Sequence, residues 1–238
     1  MPEFEFLWPQ GPKLRQLEGA YPLSTDSVLL WHFVRASRAR RLMDLGAGGG
    51  VLMVLIGSEN PACKLEGIEI NPKAVQAAQV NLELNALTGS VSLGDIRDHR
   101  KLFTAGAYDL VVSNPPYFER GRGYASPEAH RRCAREEQSC TLEDLCTAAG
   151  YLCKWGGRFT MVHRPERLSQ IFSSMTKAGI EPKRLRMVHS RSDAAPSLLL
   201  IEGKKGAKPG LSIEPNLVLH KQDGSYTKEH REIYRMQT

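Results

Sequence analysis

The chain has no long hydrophobic run. Nothing in its 238 residues approaches the roughly 18–20 consecutive apolar residues needed to cross a bilayer, and the mean hydropathy is −0.35. The opening Met1-Pro2-Glu3-Phe4-Glu5-Phe6 lacks the basic stretch and apolar core of a signal peptide, so the chain is expected to stay in the cytoplasm with no membrane contact. Paired cysteines are also lacking. The five are Cys63, Cys133, Cys140, Cys146 and Cys153, an odd number with no C-x-x-C spacing. That argues against a disulfide scaffold and against the usual zinc knuckle. The run from Cys133 to Cys153 follows near-helical spacing and reads as small buried apolar residues in a reducing compartment. The histidines, among them His99, His130, His163 and His189, fall in no metal-ligand spacing, and no metal is expected. Internal repeats are absent.

What remains is an ordinary globular composition, 41% apolar and 24% charged, long enough to bury a full core in one domain. The net charge is +6 and unevenly spread. Residues 1–117 carry 11 Lys/Arg against 12 Asp/Glu, whereas residues 183–238 carry 11 against 6. A neutral front and a basic back suggest a polyanionic partner, nucleic acid first.

Strand signals alternate with helix signals. Short apolar runs bounded by turn residues lie at 41–45, 64–70, 90–93, 108–113, 158–163, 184–189 and 197–201. Helical segments open at Ser24-Thr25-Asp26, at Asn71-Pro72 and at Thr141 with Glu143-Asp144 in the first turn; a fourth follows Pro165 and ends near Gly179. The Thr141 helix is expected to end near Gly156-Gly157. Arg120–Pro127 and Gly203–Gly210 read as the mobile stretches. Alternation of this kind predicts an α/β fold with a mostly parallel sheet and helices on both faces. The last two strands are joined by only Ser190–Pro196, too short for a helical crossover, and are expected to form an antiparallel hairpin at the sheet edge. Seven strands ending in a C-terminal antiparallel hairpin is the layout of the Rossmann-like S-adenosylmethionine methyltransferase sheet.

Three segments carry chemistry. The first is Asp44-Leu45-Gly46-Ala47-Gly48-Gly49-Gly50, between a strand and a helix, where glycines permit a sharp turn and let a ligand touch backbone. The loop contains no Lys, which excludes a P-loop, and the carboxylate of Asp44 would repel a pyrophosphate. The second is a pair of acidic strand ends. Glu69 lies about twenty residues past the loop, where a carboxylate can accept both hydroxyls of a ribose, or alternatively sit at a helix N-terminus. Asp95 is placed to meet an exocyclic amine of adenine, or to cap a turn. The third is Asn114-Pro115-Pro116-Tyr117 after the fourth strand. An amide or aromatic amine is a poor nucleophile because its lone pair is delocalised. An Asn oxygen and the following Pro carbonyl can accept both its N–H bonds and turn the lone pair toward a methyl donor, while a Tyr stacks on the planar substrate.

With these residues the chain resembles the S-adenosylmethionine-dependent amino-methyltransferases with an Asn-Pro-Pro-Tyr motif. More narrowly, it is similar to the bacterial tRNA(Val) adenine-37 N6-methyltransferases. That similarity runs through Thr25-Asp26-Ser27-Val28, the glycine loop, Asn114–Phe118, Ala134-Arg135-Glu136, Cys140–Leu145, Gly157-Arg158-Phe159, His163–Arg167 and Asp223–Thr227. It implies a single methyltransferase domain over residues 1–238, with residues 1–40 an N-terminal extension carrying a cofactor-capping helix and 204–238 a basic C-terminal tail. It implies S-adenosylmethionine as cofactor, with Thr25, Asp26, Asp44, Gly46, Ala47 and Gly48 around its methionine end. Glu69 would meet its ribose and Asp95 its adenine, with Ile70 and Ile96 as further cofactor-binding residues. Asn114, also counted among the cofactor-binding residues, and Pro115 would hold the target amine, with Pro116 in the same catalytic turn and Tyr117 stacked on the base. Two departures stand out: Tyr21-Pro22-Leu23 replaces an aromatic–Arg–Phe run, and Gly49 stands where Ser or Thr is common. The partner implied is tRNA, with Arg120, Arg122, Arg131, Arg132 and Arg135 beyond the catalytic turn, and the basic tail, as phosphate contacts. The rivals are a protein-glutamine methyltransferase acting on release factors, a DNA adenine methyltransferase, and a non-catalytic RNA-binding protein on the same fold.

Overall fold

The structure is a computed structural model and describes residues 4–16, 24–116 and 140–236. A hairpin of β1 (Glu5–Phe6) and β2 (Lys13–Leu14) precedes helix α1 (Thr25–Phe33). Then follow β3 (Arg41–Leu45), α2 (Val51–Glu59), β4 (Lys64–Glu69), α3 (Pro72–Leu84), β5 (Gly89–Leu93), the short α4 (His99–Leu102) and β6 (Tyr108–Ser113). The second half holds α5 (Leu142–Leu152), β7 (Cys153–His163), α6 (Leu168–Lys177), β8 (Ile180–His189), β9 (Pro196–Lys205), β10 (Ser212–Ile213), β11 (Leu217–Val218) and α7 (Lys228–Ile233).

The main sheet runs β5-β4-β3-β6-β7-β9-β8, parallel from β5 to β7 and antiparallel at both β9 pairings. Strand alternation sorts its side chains into two cores. Leu42, Leu65, Leu110, Val112, Val162 and Leu200 face α1 and α2, whereas Met43, Ile68, Val111, Met161 and Ile201 face α5 and α6. Near-continuous apolar strands follow from burial on both faces. Among the described residues, no helix is long and apolar enough to cross a membrane.

Local chemistry sets the helix starts. Ser24 caps α1 by accepting the Ser27 N–H, and Asn71 caps α3 ahead of Pro72 at its first position. Thr141 and Asp144 form a reciprocal capping box on α5.

Three expectations change. The hairpin of β8 and β9 is antiparallel as expected, but β8 is not left as a bare edge. β10 and β11 pair parallel along its outer side, with Glu214 N–H donating to the Leu185 carbonyl (2.8 Å) and Leu219 N–H to the His189 carbonyl (2.9 Å). An uncovered edge would offer free backbone groups to another chain, and the tail supplies the partner. The Thr141 helix stops at Leu152 rather than at Gly156-Gly157. Sheet pairing takes over from Cys153, opposite Tyr108, and the two glycines fall in an irregularity of that strand pair. Gly203–Lys205 form the end of β9, not a mobile loop, because Gly203 pairs with Pro182 on one side and Phe159 on the other. Arg120–Pro127 lies outside the described residues.

Of the four described thiols, Cys63, Cys146 and Cys153 are buried and Cys140 is partly so. Burial pushes Cys146 and Cys153 up to about 12, and Cys63 and Cys140 up to about 11, so all four stay protonated at neutral pH. Among the described residues no cluster of His, Cys, Asp and Glu could hold a metal ion; Cys133 lies outside them.

Candidate active site

The candidate residues converge at the carboxyl ends of the parallel strands, where open α/β sheets leave a crevice. The glycine loop leaves β3 and is tied to β4: the Gly46 and Ala47 N–H groups both donate to the Ile68 carbonyl, at 2.9 and 3.0 Å. Gly46 and Gly48 take left-handed backbone (φ 76° and 51°), so a side chain at either would be strained.

Glu69 ends β4 and is only 5% exposed. Its Oε2 accepts the Gly48 N–H (2.9 Å) and its Oε1 accepts the Asn71 N–H (2.8 Å). The carboxylate is thereby fixed between the glycine loop and α3. Each oxygen keeps lone-pair capacity for a further donor such as a ribose hydroxyl. Ile70, next in sequence, is exposed.

Asp44 is 1% exposed, and burial with Glu69 nearby pushes its carboxyl up to about 8. Its Oδ1 is buried without a hydrogen-bond partner among the described residues. Such an atom is costly unless a donor arrives from outside the chain. A ligand bearing a positive charge, as S-adenosylmethionine does at its sulfonium and amino groups, has the chemistry to supply one. On that observation the loop fits the cofactor. Asp26, in the first turn of α1, is raised by burial against the opposing pull of Arg164. Thr25 is exposed, and its carbonyl accepts the Tyr234 hydroxyl at 3.5 Å.

Asp95 caps the turn at Ile96–Asp98, and both its oxygens also meet the Arg97 guanidinium, Oδ2 at 2.6 Å from Nη2. The hydrogen bond from Arg97 holds this carboxyl below its usual range. A ligand amine at Asp95 would share it with Arg97. Ile96 faces the pocket.

The pocket is lined by Leu45, Gly46 and Ile96 together with Ser113, Pro115 and Pro116. Ser113 Oγ donates to the Leu45 carbonyl (2.7 Å), tying the ends of β3 and β6 together. Asn114 follows β6 directly, and its Nδ2 donates to Ser24 Oγ (3.1 Å) and Ser27 Oγ (3.0 Å). Tyr117 and the arginines at 120, 122, 131, 132 and 135 lie outside the described residues.

Several residues of the site had no role assigned from the sequence. His163, Arg164 and Arg167 line the same pocket as Gly46, and burial drives His163 down to about 4, leaving it neutral. In the sequence they fall in the His163–Arg167 segment of the family resemblance, which gave them no individual role. Buried Asn81 holds the glycine loop from behind, donating to the Gly49 carbonyl (2.9 Å) while accepting the Arg15 N–H (2.7 Å). The lysines of the tail divide. Lys204 pairs with Arg158, and Leu199 with His163, so Lys204 and Lys205 lie at the end of β9 away from the pocket. That is about 17 Å of strand, at 3.4 Å per residue. Lys221 lies at the pocket end, next to His220, whose N–H bonds the Ser190 carbonyl.

Comparison with known proteins fits this geometry. Curated relatives named tRNA1(Val) (adenine(37)-N6)-methyltransferase include one from Tolumonas auensis, 29% identical over 88% of this chain and 86% of its own. Another, from Porphyromonas gingivalis strain W83, is 28% identical over 89% and 86%. Among solved structures, a predicted O-methyltransferase from Agrobacterium tumefaciens superposes with a TM-score of 0.72 at 20% identity, over 89% of this chain and 96% of that one. The T. thermophilus 16S rRNA N2 G1207 methyltransferase, in complex with AdoMet and guanosine, gives 0.57 at 19% identity, over 85% of this chain and 50% of that one. The methyltransferase small domain model matches residues 23–172, from the serines of α1 through the glycine loop and Asn114-Pro115-Pro116 to α6. The chain is an S-adenosylmethionine-dependent methyltransferase and belongs to the methyltransferase small domain family.

Proposed function

We propose that the protein methylates N6 of an adenine in tRNA, adenine 37 in the anticodon loop of tRNA(Val), in the cytoplasm. The observation that carries the reading is the position of Pro115 and Pro116. They follow Asn114 at the end of β6 and line the same pocket as Gly46 and Ile96. The names of the relatives support the choice of substrate.

When bound, S-adenosylmethionine supplies a methyl group whose bond to sulfur breaks as the bond to nitrogen forms, leaving a thioether. The chain's own residues orient the nitrogen. The Asn114 Oδ1 and the Pro115 carbonyl accept the two N–H bonds of the adenine amine. That localises its lone pair and aims it at the methyl carbon. The nitrogen sheds its surplus proton to water after attack. Pro115 and Pro116 fix the backbone so that the acceptor carbonyl does not turn into a helix. Tyr117 would stack on the base, and Glu69 and Asp44 would hold the ribose and the cationic end of the cofactor. The target adenine must be unstacked to enter, which suits a base splayed in a loop. Arg120, Arg122, Arg131, Arg132, Arg135 and the basic tail would supply phosphate contacts.

The test is transfer of labelled methyl from S-adenosylmethionine to bacterial tRNA, a release factor and duplex DNA in parallel, with digestion of the tRNA to nucleosides. Label in N6-methyladenosine of tRNA(Val) is expected. Label on the release factor would move the assignment to glutamine methylation, and label on DNA to adenine in duplexes.

A further inference from the structure

We infer that Ser24 and Ser27 are positioning residues that set the direction of the Asn114 side chain, an inference that rests on the amine-holding role proposed above for Asn114. An Asn amide carries two N–H donors on nitrogen and an acceptor oxygen. Only the oxygen can receive the N–H of a target amine. Asn114 spends both donors on one helix turn: Nδ2 lies 3.1 Å from Ser24 Oγ and 3.0 Å from Ser27 Oγ. With nitrogen held there, the oxygen is the end left over, and it points away from α1.

The arrangement follows from helix geometry. Residues three apart share a helix face, so the two hydroxyls at the start of α1 present adjacent oxygens, 3.3 Å apart, to the strand end that carries Asn114. Ser24 also caps the helix, accepting the Ser27 N–H at 3.3 Å, so its conformation is fixed before Asn114 is considered. Ser27 has no capping role. It is 7% exposed, and the partners of its hydroxyl are Ser24 and Asn114. A hydroxyl buried alongside Val28, Leu29, Leu30, Trp31 and Phe33 needs a reason, and the amide supplies it. Removing that oxygen leaves an amide N–H with nothing to replace the acceptor, and turning the group by half a rotation would aim the Nδ2 donors at the N–H donors of the target amine.

The substitutions separate positioning from folding. Ser27→Ala removes only the oxygen and keeps the cap on a residue type that favours helix. Ser24→Gly removes the other oxygen and leaves a residue tolerated at the cap, whereas Ser24→Thr keeps both the oxygen and the cap. The measurements are transfer kinetics on bacterial tRNA, cofactor affinity by calorimetry, and the side-chain amide signals of nitrogen-15-labelled protein. The Asn114 pair is identified by its loss in Asn114→Ala.

Ser27→Ala is expected to lower kcat by roughly 10- to 100-fold, the scale of a catalytic group displaced by about an ångström. Cofactor Kd and the KM for tRNA should stay within about twofold by the same argument, and the Asn114 amide pair should shift. Ser24→Gly should add to the loss and Ser24→Thr should not. An Asn114 amide pair unmoved in the double variant, or an unchanged kcat, overturns the inference, as does a fall in cofactor affinity that accounts for the whole rate loss. If Asn114→Ala itself keeps full activity, the amine-holding role falls and the serine role falls with it. That outcome is distinct from an essential Asn114 with dispensable serines.

Discussion

Glu69 Oε2 accepts the backbone N–H of Gly48 at 2.9 Å, joining the carboxylate at the end of β4 to the loop that leaves β3. The other oxygen takes the Asn71 N–H at the start of α3. One side chain thus ties the glycine loop to the start of the next helix. Glu69→Gln puts an NH2 where one of these backbone donors now points. Leaving one buried donor unpaired costs about 1–3 kcal/mol. The expected outcome is a fall in thermal midpoint together with at least a tenfold rise in cofactor Kd, about 1.4 kcal/mol. A changed midpoint with unchanged Kd would confine Glu69 to a structural role.

Asp44 gives a pH signature. Its carboxyl sits at about 8 in the folded chain against an ordinary 3.8. Folding therefore takes up a proton between about pH 4 and pH 8, and this group's contribution to the stability of the ligand-free protein declines as pH rises through that window. Asp44→Asn cannot titrate. Its stability relative to the natural chain should increase steadily from pH 4 to pH 8, measured by denaturant melts. A cationic ligand favours the ionised carboxylate, so cofactor binding should strengthen with pH toward 8 in the natural chain. That gain should be missing in Asp44→Asn. Parallel pH profiles for the two proteins would remove Asp44 from the cofactor's charged end.

Asn114→Ala should abolish methyl transfer and leave cofactor Kd within about threefold, below the tenfold that 1.4 kcal/mol represents. The Asn114 amide is engaged with α1 and does not hold the glycine loop. Calorimetry alongside single-turnover kinetics separates the two effects. A large loss of binding would mean that Asn114 acts on the cofactor instead of the target amine.

Gly150 sets helix propensity against packing. Ala in a helix interior is better than Gly by about 1 kcal/mol. A Cβ at position 150, however, would collide with the Ala178 carbonyl oxygen and lie 3.1 Å from the Ala178 Cβ, where α5 crosses the end of α6. Overpacking against backbone costs about 1–3 kcal/mol, and here the helix cannot yield without opening the α5–α6 contact. Gly150→Ala is therefore expected to lower the denaturation midpoint despite its better propensity. A raised midpoint would show that the α6 end gives way freely.

The split of the tail predicts an asymmetry in RNA binding. Lys204 and Lys205 lie at the end of β9 away from the pocket, while Lys221 and Arg191 lie at the pocket end. Lys221→Glu with Arg191→Glu should raise the KM for tRNA and flatten its salt dependence, because each phosphate contact contributes to the slope. Lys204→Glu should do so less. Equal effects from both ends would mean that the RNA wraps the length of the sheet.

Much of the architecture was legible because short-range rules and period-2 patterning carry it. Leu42 and Met43, adjacent in β3, go to opposite cores as alternation requires. Pro72 and the Thr141–Asp144 pair mark their helix starts by chemistry confined to a few residues. Where long-range pairing competes, the local reading loses. Cys153–Gly157 read as the end of a helix because glycines usually stop one, yet Tyr108 offers a strand partner to Cys153 and the chain extends. Residues 212–218 give no strand signal, and they pair only because β8 has an open side.

The sequence by itself determined the order of elements, the glycine loop, the acidic strand ends and the Asn-Pro-Pro turn, since each is a contiguous run whose meaning lies in its neighbours. Only the tertiary structure decided what those groups touch. It brought Ser24 and Ser27 to Asn114 across about ninety residues of chain, put Asn81 behind Gly49, and left one oxygen of Asp44 buried without a partner among the described residues. It also sent Lys204 to the far end of the sheet. The physical reason is that hydrogen bonding and burial depend on distance in space, and a sequence states only distance along the chain.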